Sequence, residues 1–325
     1  MQLRRCLCQV TLALSSIASA FAQVDTATIT GKVTDTSGAA MPNVQISVVQ
    51  TETNFHFSSV TNSDGIYRIQ SLQPGPYTAT FEASGFKRLV RQNISLHVGD
   101  VLAVDATLEV GAVTESVEVK SSPTLLQTET SSTGTVTEGD QLYKLAMYQR
   151  YITNVMTIVP GLTNSTTGGT NGLGSFYVAG TRNSGTGVFE DGVFANDPLG
   201  GTTTIKPIEN SVDEVKVLTG TLPAEYGHSA GGIITTVKKS GTNEFHGSAS
   251  DFGRTRIMTH RQYFNLYTTS QPQLGNPNGV PAWFMQPDAS GGGPLVIPKI
   301  YNGRNRTFWF IGYNKLIEKK TQAYT

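Results

Sequence analysis
The residues of this chain best suited to covalent chemistry gather at Gly227-His228-Ser229-Ala230-Gly231, a G-x-S-x-G string. In serine hydrolases that string puts the Ser hydroxyl on a sharp turn between a strand and a helix, with an Asp and a His later in the chain. Here Pro223 and the Glu225-Tyr226 pair come before the serine, and Gly232 then Ile233-Ile234-Thr235-Thr236-Val237 come after it. Those β-branched residues read as a strand, not a helix. The later partners come down to Asp251, His260 and Asp288, with no strand–helix alternation around them. The string predicts a small-residue turn, and no catalytic residue is assigned. His56, His97, His228, His246 and His260 show no ligand spacing, so no metal site and no cofactor are assigned either.

The elements that would position Ser229 are extended. Val215, Val217 and Thr219 alternate, a turn closes at Pro223, and a second strand runs over 233–239. Ser240-Gly241-Thr242-Asn243 reads as a short flexible joint, because Gly and small polar residues leave the backbone loose. Beyond it Phe245-His246-Gly247-Ser248-Ala249 starts another extended run. The composition agrees: 34 Gly, and a charged fraction of 15%, low against about 25% in ordinary soluble domains. A formal net charge of +0 gives no electrostatic footprint for nucleic acid. No apolar run reaches the roughly 18 residues of a membrane-spanning helix, which leaves open the weaker signal of barrel strands.

Arg4 and Arg5 precede an apolar stretch, 7–17, and Ala20-Phe21-Ala22 ends it. A basic start, a short apolar core and an A-x-A site predict a secretory signal peptide over 1–22, with the rival reading a buried N-terminal helix. Cys6 and Cys8 both lie inside it, so the processed chain would have no thiol for a disulfide or a metal. Neither cysteine fits a lipoprotein site, and Arg4-Arg5 is a poor twin-arginine match, which favours Sec export.

Residues 24–110 carry short alternating runs separated by turn residues, the pattern of an all-β sandwich. Ile29, Gly31 and Val33 share one strand face; Val44, Ile46 and Val48 another; Tyr77, Ala79 and Phe81 a third; Leu102, Val104, Ala106 and Leu108 a fourth. Asp35 to Gly38 reads as a turn and Asp64-Gly65 as a hairpin. The segment TNSDGIYRIQSLQPGPYTATFEASGFK resembles the carboxypeptidase regulatory-like domain, a small prealbumin-like sandwich. Domains of that kind are often grouped with carbohydrate binders, but Tyr67, Tyr77 and Phe81 fit core positions here, which favours a rigid spacer.

The stretch 215–248 resembles the end of the plug domain and the first barrel strand of a TonB-dependent outer-membrane receptor of the Oar-like kind. LAMYQRYITNVMTIVPGL resembles that family's plug helix, with helical spacing at Tyr151, Ile152, Val155 and Ile158 and a stop at Pro160-Gly161. Gly134-Thr135-Val136 reads as a strand, Thr137 and Glu138 as the cap of a helical turn, and 163–175 as a polar loop. FYVAGTRNSGTGVFEDGVFANDP gives strand, turn, strand, with Asp191-Gly192 at a type I′ turn. By resemblance, Gly180, Arg182, Asp191 and Gly192 lie in the plug's mixed sheet and loops. Arg182, Glu190, Asp191, Glu225 and Lys238 can be read as a polar active site, but a plug faces a polar barrel wall and pairs its charges for docking. GGGPLVIPKIYNGRNRTFWFIGYNK resembles a hairpin between early barrel strands, with strands expected over 244–254, 284–293 and 307–316 and an external loop over 262–281. The aromatic run Phe308-Trp309-Phe310 suits an interfacial girdle.

The expected architecture is mainly β. It comprises a signal peptide at 1–22, a prealbumin-like β-sandwich at 24–110, a linker at 111–130, a mixed α/β plug at 131–242, and the first strands of an incomplete transmembrane β-barrel at 243–325. Three strands leave edges that hydrocarbon does not tolerate, and the family's barrel has about twenty-two, so a fragment is expected. The resemblance implies energised passage of a substrate across the outer membrane, carbohydrate and peptide being the candidate classes, with the sandwich in the periplasm. It implies a TonB-type energy-transducing protein, outer-membrane lipid and an external substrate as partners, and no nucleic acid. The family's contact with that protein, the TonB box, falls by position on Thr114, Glu115, Ser116, Val117, Glu118 and Val119, a β-prone segment suited to strand addition. The rival reading makes this segment the last strand of the sandwich. A second functional reading is a secreted protein that binds carbohydrate or matrix through the sandwich; a third, a serine hydrolase, rests on Ser229 alone.

Overall fold
A computed structural model describes residues 26–111, 116–120, 132–144, 159–165, 175–197, 203, 207–227, 229–255 and 283–319. The expected signal peptide, the helix over 148–158 and the loop over 262–281 lie outside these residues.

The N-terminal sandwich is built from β1 (Ala27–Asp35), β2 (Gln45–Gln50), β3 (His56–Val60), β4 (Ile66–Leu72), β5 (Gly75–Glu82), β6 (Arg88–Leu96), β7 (Val101–Ala103), β8 (Ala106–Leu108) and β9 (Ser116–Lys120). One sheet runs β4-β1-β7, with β8 also on β1; the other runs β3-β2-β5-β6-β9. The period-2 faces of the sequence turn inward as expected. Ala27, Ile29 and Val33 from β1, Ile46 and Val48 from β2, and Tyr77, Ala79 and Phe81 from β5 form one core with Leu102, Val104, Ala106 and Leu108. Tyr67 crosses between the sheets: its ring meets Phe81 edge-on with centroids 5.7 Å apart, and its hydroxyl donates to the Val104 carbonyl at 2.7 Å. Full burial pushes this phenol well above its ordinary pKa.

The Asp35 turn forms around its own carboxylate, which accepts from the amides of Ser37 and Ala39, both at 2.9 Å. Asp64-Gly65 is not a hairpin. It joins β3 in one sheet to β4 in the other, turning on Gly65 at φ +73 while the Asn62 side chain accepts from the amides of Asp64 and Ile66. Turn chemistry reads a reversal of direction but not the sheet that receives the next strand.

The second sheet is mixed, in the order β10-β15-β16-β13-β14, from β10 (Gly134–Glu138), β13 (Thr186–Glu190), β14 (Val193–Phe194), β15 (Val212–Leu218) and β16 (Gly232–Lys238). β11 (Leu162–Ser165) and β12 (Ser175–Val178) form a separate antiparallel pair, so the ends of the expected polar loop are strands. Helix α1 (Gly139–Lys144) follows the Thr137-Glu138 cap position. β13 and β14 make the expected tight hairpin, with Glu190 opposite Val193 and positive φ at both Asp191 (+49) and Gly192 (+79).

The third sheet is antiparallel, β17 (His246–Thr255), β18 (Trp283–Pro294) and β21 (Phe308–Asn314), with β22 (Ile317–Lys319) also on β18. A small pair, β19 (Val296–Ile297) and β20 (Tyr301–Asn302), sits in the connection. Among the described residues this sheet is open. The chain forms two compact units: the sandwich and most of the mixed sheet are one, and Pro207–Val212 groups with Lys239–Thr325 in the other. Residues 240–243 are not loose. Asn243 and the 303–306 turn exchange hydrogen bonds, Asn243 Nδ2 to Asn305 Oδ1 and Asn305 N to Asn243 Oδ1, both 2.7 Å. A methyl group at Gly241 would meet the backbone of Trp309. Glycine is there for a close approach rather than for freedom.

Candidate functional site
The segment proposed for partner contact contains the outermost strand of the larger sandwich sheet. β9 pairs in parallel with β6, Ser116 beside Arg88, Val117 beside Leu89, Glu118 beside Val90 and Val119 beside Arg91. Thr114 and Glu115 lie outside the described residues. The last turn before β9 is anchored by the Gly111 amide donating to Gly85 O at 3.1 Å. A terminal strand offers one row of backbone N–H and C=O groups to a further strand, and the sequence's two readings, last strand and strand-addition site, are compatible in this geometry.

The G-x-S-x-G string does not have a nucleophile elbow's surroundings. Ser229 follows a 3-10 turn, Ala224–Tyr226, its amide donating to Tyr226 O at 3.1 Å, and the next element is strand β16. Gly231, with Gly187 and Gly232 nearby, serves packing. A methyl at Gly187 would strike the Ser229 hydroxyl, one at Gly231 the side chain of Thr181, and one at Gly232 the side chain of Val178 and the carbonyl of Leu218. The amides of Ala230 and Gly231 both donate to Gly185 O, at 2.9 and 3.0 Å. The segment is a tightly laid crossing between β15 and β16.

Of the five charged residues considered as a polar site, the structure brings three together. Lys238 Nζ lies 2.6 Å from Glu190 Oε1 and 3.4 Å from Asp191 Oδ2, and its amide donates to Asp191 Oδ1 at 2.9 Å. Partial burial alone would lower the Lys238 pKa, but the two carboxylates outweigh it and raise it. Arg182 is exposed, and the Glu225 side chain lies outside the described residues. Among the described residues no group of three or more His, Cys, Asp or Glu side chains is arranged to hold a metal.

One charged cluster was not legible in the sequence. His97 Nδ1 lies 2.8 Å from Glu214 Oε2, the Val98 amide donates to Glu214 Oε1 at 2.5 Å, and Lys216 Nζ donates to Val98 O at 2.6 Å and to Asp100 Oδ1 at 2.8 Å. Glu214 and Lys216 alternate with Val215 and Val217 along β15, so they read as a solvated strand face. The loop after β6 covers that face and buries them. Only the pairing of two opposite charges at i and i+2 hinted at a partner.

In the open antiparallel sheet, Trp309, Ile311 and Tyr313 of β21 and Met285 of β18 are exposed, while Phe284, Gln286 and Asp288 are buried. The polar face is filled from its own unit. Asn210 Nδ2 donates to Asp288 Oδ1 at 3.0 Å, and Gln286 Nε2 and Asn314 Nδ2 donate to Glu209 Oε2, both at 3.2 Å. Apolar on one face and polar on the other is the dyad pattern of an outer-membrane barrel wall.

Residues 126–233, which contain the mixed sheet except for most of β16, match the family model of the TonB-dependent Receptor Plug Domain. The chain carries a TonB-dependent receptor plug domain. Before the plug, residues 28–109 match the Carboxypeptidase regulatory-like domain; after it, residues 237–325 match the Outer membrane beta barrel domain. Over 297 residues the chain is 29% identical to the TonB-dependent transporter Oar of Myxococcus xanthus, an alignment that takes in 87% of this chain and 26% of that protein. The chain thus spans about a quarter of the length of that relative. Among solved structures it is similar to the dioxygenase domain of a dioxygenase carbohydrate-binding protein fusion from Streptomyces sp. SirexAA-E, at 16% identity over 29% of this chain and 85% of that one, TM-score 0.24. Chlorocatechol 1,2-dioxygenase from Pseudomonas putida is similar at 13% identity over 28% and 62%, TM-score 0.23. Likeness at that level carries no argument about activity.

Proposed function
We propose that this chain supplies the sandwich, the plug and the first wall strands of an outer-membrane transporter driven by a TonB-type energy-transducing protein. The observation that carries the reading is the order of the three matched domains, regulatory-like sandwich, plug and barrel. In this reading the sandwich lies in the periplasm and the apolar face of Trp309, Ile311 and Tyr313 meets lipid. The transducing protein engages Thr114, Glu115, Ser116, Val117, Glu118 and Val119 by strand addition, pulls, and shifts the plug to open a path for a carbohydrate or peptide substrate. The second reading, carbohydrate binding by the sandwich, loses its readiest platform, because Tyr67, Tyr77 and Phe81 are all buried.

The test is uptake by the full-length receptor. Strand addition draws its affinity from backbone groups, and proline removes one N–H. Val117 also pairs with Leu89 in the sandwich sheet, so with an unchanged sandwich melt and equal surface levels by protease shaving, Val117→Pro is expected to abolish energised uptake and Val117→Ala to leave it nearly intact. Normal uptake by the Val117→Pro receptor would place the contact elsewhere in the chain.

A further inference from the structure
The loop between β6 and β7 does more than connect two strands. His97 O accepts from the Asp100 amide at 3.1 Å, the Asp100 carboxylate accepts from the His97 amide at 3.0 Å, and Gly99 takes φ +62. This tight turn presents His97, the Val98 backbone and Asp100 as a set. All three meet the plug, on Glu214 and Lys216 of β15. Asp100, Glu214 and Lys216 are 2%, 4% and 8% exposed, and the His97 side chain is 31% exposed. Asp100 is also tied back to the sandwich, since its carbonyl accepts from the Thr28 amide at 2.7 Å.

We propose that His97, Val98 and Asp100 form a latch that fastens the sandwich to plug strand β15 through Glu214 and Lys216, and that the latch closes in mild acid and loosens toward alkaline pH.

The first half of the proposal follows from burial and valence. Each charged group in the seam has its partner on the other domain, so separating sandwich from plug breaks all of these contacts at once. A buried ion network returns little net stability, because the cost of desolvating the charges offsets their attraction, but it penalises every wrong register. Such a seam is specific and still separable, unlike an apolar interface of the same size. The second half follows from charge count. With His97 protonated, two cations, His97 and Lys216, face two carboxylates, Asp100 and Glu214. With His97 neutral, one cation is left against both acids. On β10, Glu138 stands opposite Glu214 in the strand register; it is an exposed acid and supplies no positive charge. The bond to Glu214 holds the His97 pKa above its ordinary value, against the opposing effect of burial. A group whose pKa is raised on docking contributes fully below the undocked value, about 6.5. Its contribution is lost as pH rises through the docked value.

The experiment is hydrogen exchange of the full chain in detergent micelles, followed at the Val98 amide and across β15, with intrinsic rates divided out. Between about pH 5.5 and pH 8, the range in which a histidine changes charge, the Val98 amide is expected to lose about tenfold protection. The β15 amides that pair with β10 should keep theirs. His97→Gln, a change at a partly exposed loop position, should abolish that pH dependence. Glu214→Gln should lower Val98 protection at every pH while β15 stays protected. If Val98 protection is independent of pH in the parent chain, or its pH dependence survives His97→Gln, the histidine half is overturned. If Glu214→Gln leaves Val98 as protected as before, the latch itself is overturned. A Glu214→Gln chain that loses β15 protection as well would show that the carboxylate supports the plug fold rather than a separable latch, which also overturns the proposal.

Discussion

Replacing Gly31 by alanine sets two effects against each other. In the interior of a strand, alanine is ordinarily better than glycine by about 0.5–1 kcal/mol, because it has less backbone freedom to lose. Gly31 sits on β1 at the gap between its two parallel partners, where Thr30 pairs with Ala103 of β7 and Val33 with Ala106 of β8. The chain of Val104 presses onto it there. A methyl at Gly31 would stand 2.7 Å from the Val104 carbonyl carbon and 3.0 Å from Tyr67 Cε1. Backbone on one side and a packed ring on the other leave it nowhere to go. Overpacking a close-packed core costs roughly 1–3 kcal/mol, and pushing Val104 away weakens the Tyr67 hydroxyl bond, about another 1 kcal/mol. The clash outweighs the entropy gain by about 1–3.5 kcal/mol. At about 4–8 °C per kcal/mol for a domain of this size, the midpoint of residues 24–120 should fall by at least about 4 °C in a circular-dichroism melt. Tyr67→Phe, which removes the bond without the clash, should cost about 1 kcal/mol, and the double variant should lose less than the sum of the two single losses. An unchanged or raised midpoint for Gly31→Ala would refute the close approach of β1 to residue 104.

Further outcomes concern the plug and its charges. Lys238→Ala, which strands the buried Glu190 carboxylate without its cation, should destabilise the plug by about 1–3 kcal/mol in urea unfolding, and adding Glu190→Gln should recover most of that loss. Gly192→Val places a β-branched residue at φ +79 and should cost more than about 1 kcal/mol by the same assay, whereas Asp191→Asn should cost little, because Asn tolerates positive φ. Ser229 should remain unlabelled by a fluorophosphonate probe in the purified chain; labelling that disappears in Ser229→Ala would restore the hydrolase reading.

What was legible in the sequence was whatever a single strand can report about itself. The alternating faces at Ile29 and Val33, at Tyr77 and Phe81, and at Leu102 through Leu108 all turn to the sandwich core, because a period of two fixes which side chains share a face. The Asp191-Gly192 turn was legible because few dipeptides accept two positive φ values in succession. What was hidden depended on a second element. Asp64-Gly65 is a good turn, but nothing near it says that β4 leaves the sheet of β3. Ser240-Gly241-Thr242-Asn243 has a flexible joint's composition, yet Gly241 is small because Trp309 passes close by. Glu214 and Lys216 have a solvated strand's spacing, and the loop that buries them lies more than a hundred residues earlier in the chain, Val98 to Glu214 being 116 positions apart.

Strand β1 is antiparallel to β4 and parallel to β7 and β8, so its neighbours come from residues 66–72 and 101–108. The first of the described strands is therefore among the last to be completed. As the chain emerges into the compartment where it folds, N-terminal part first, Ile29 and Val33 stay without their full cover until residues 101–108 follow. Parallel pairing over such a separation is also slow to close once the chain is present. In that interval β1 is an apolar strand with both edges bare, and a holding chaperone has its best target there. A chain stopped anywhere before residue 101 would leave that target permanently open, so quality control in the compartment where the sandwich folds should act on such premature products.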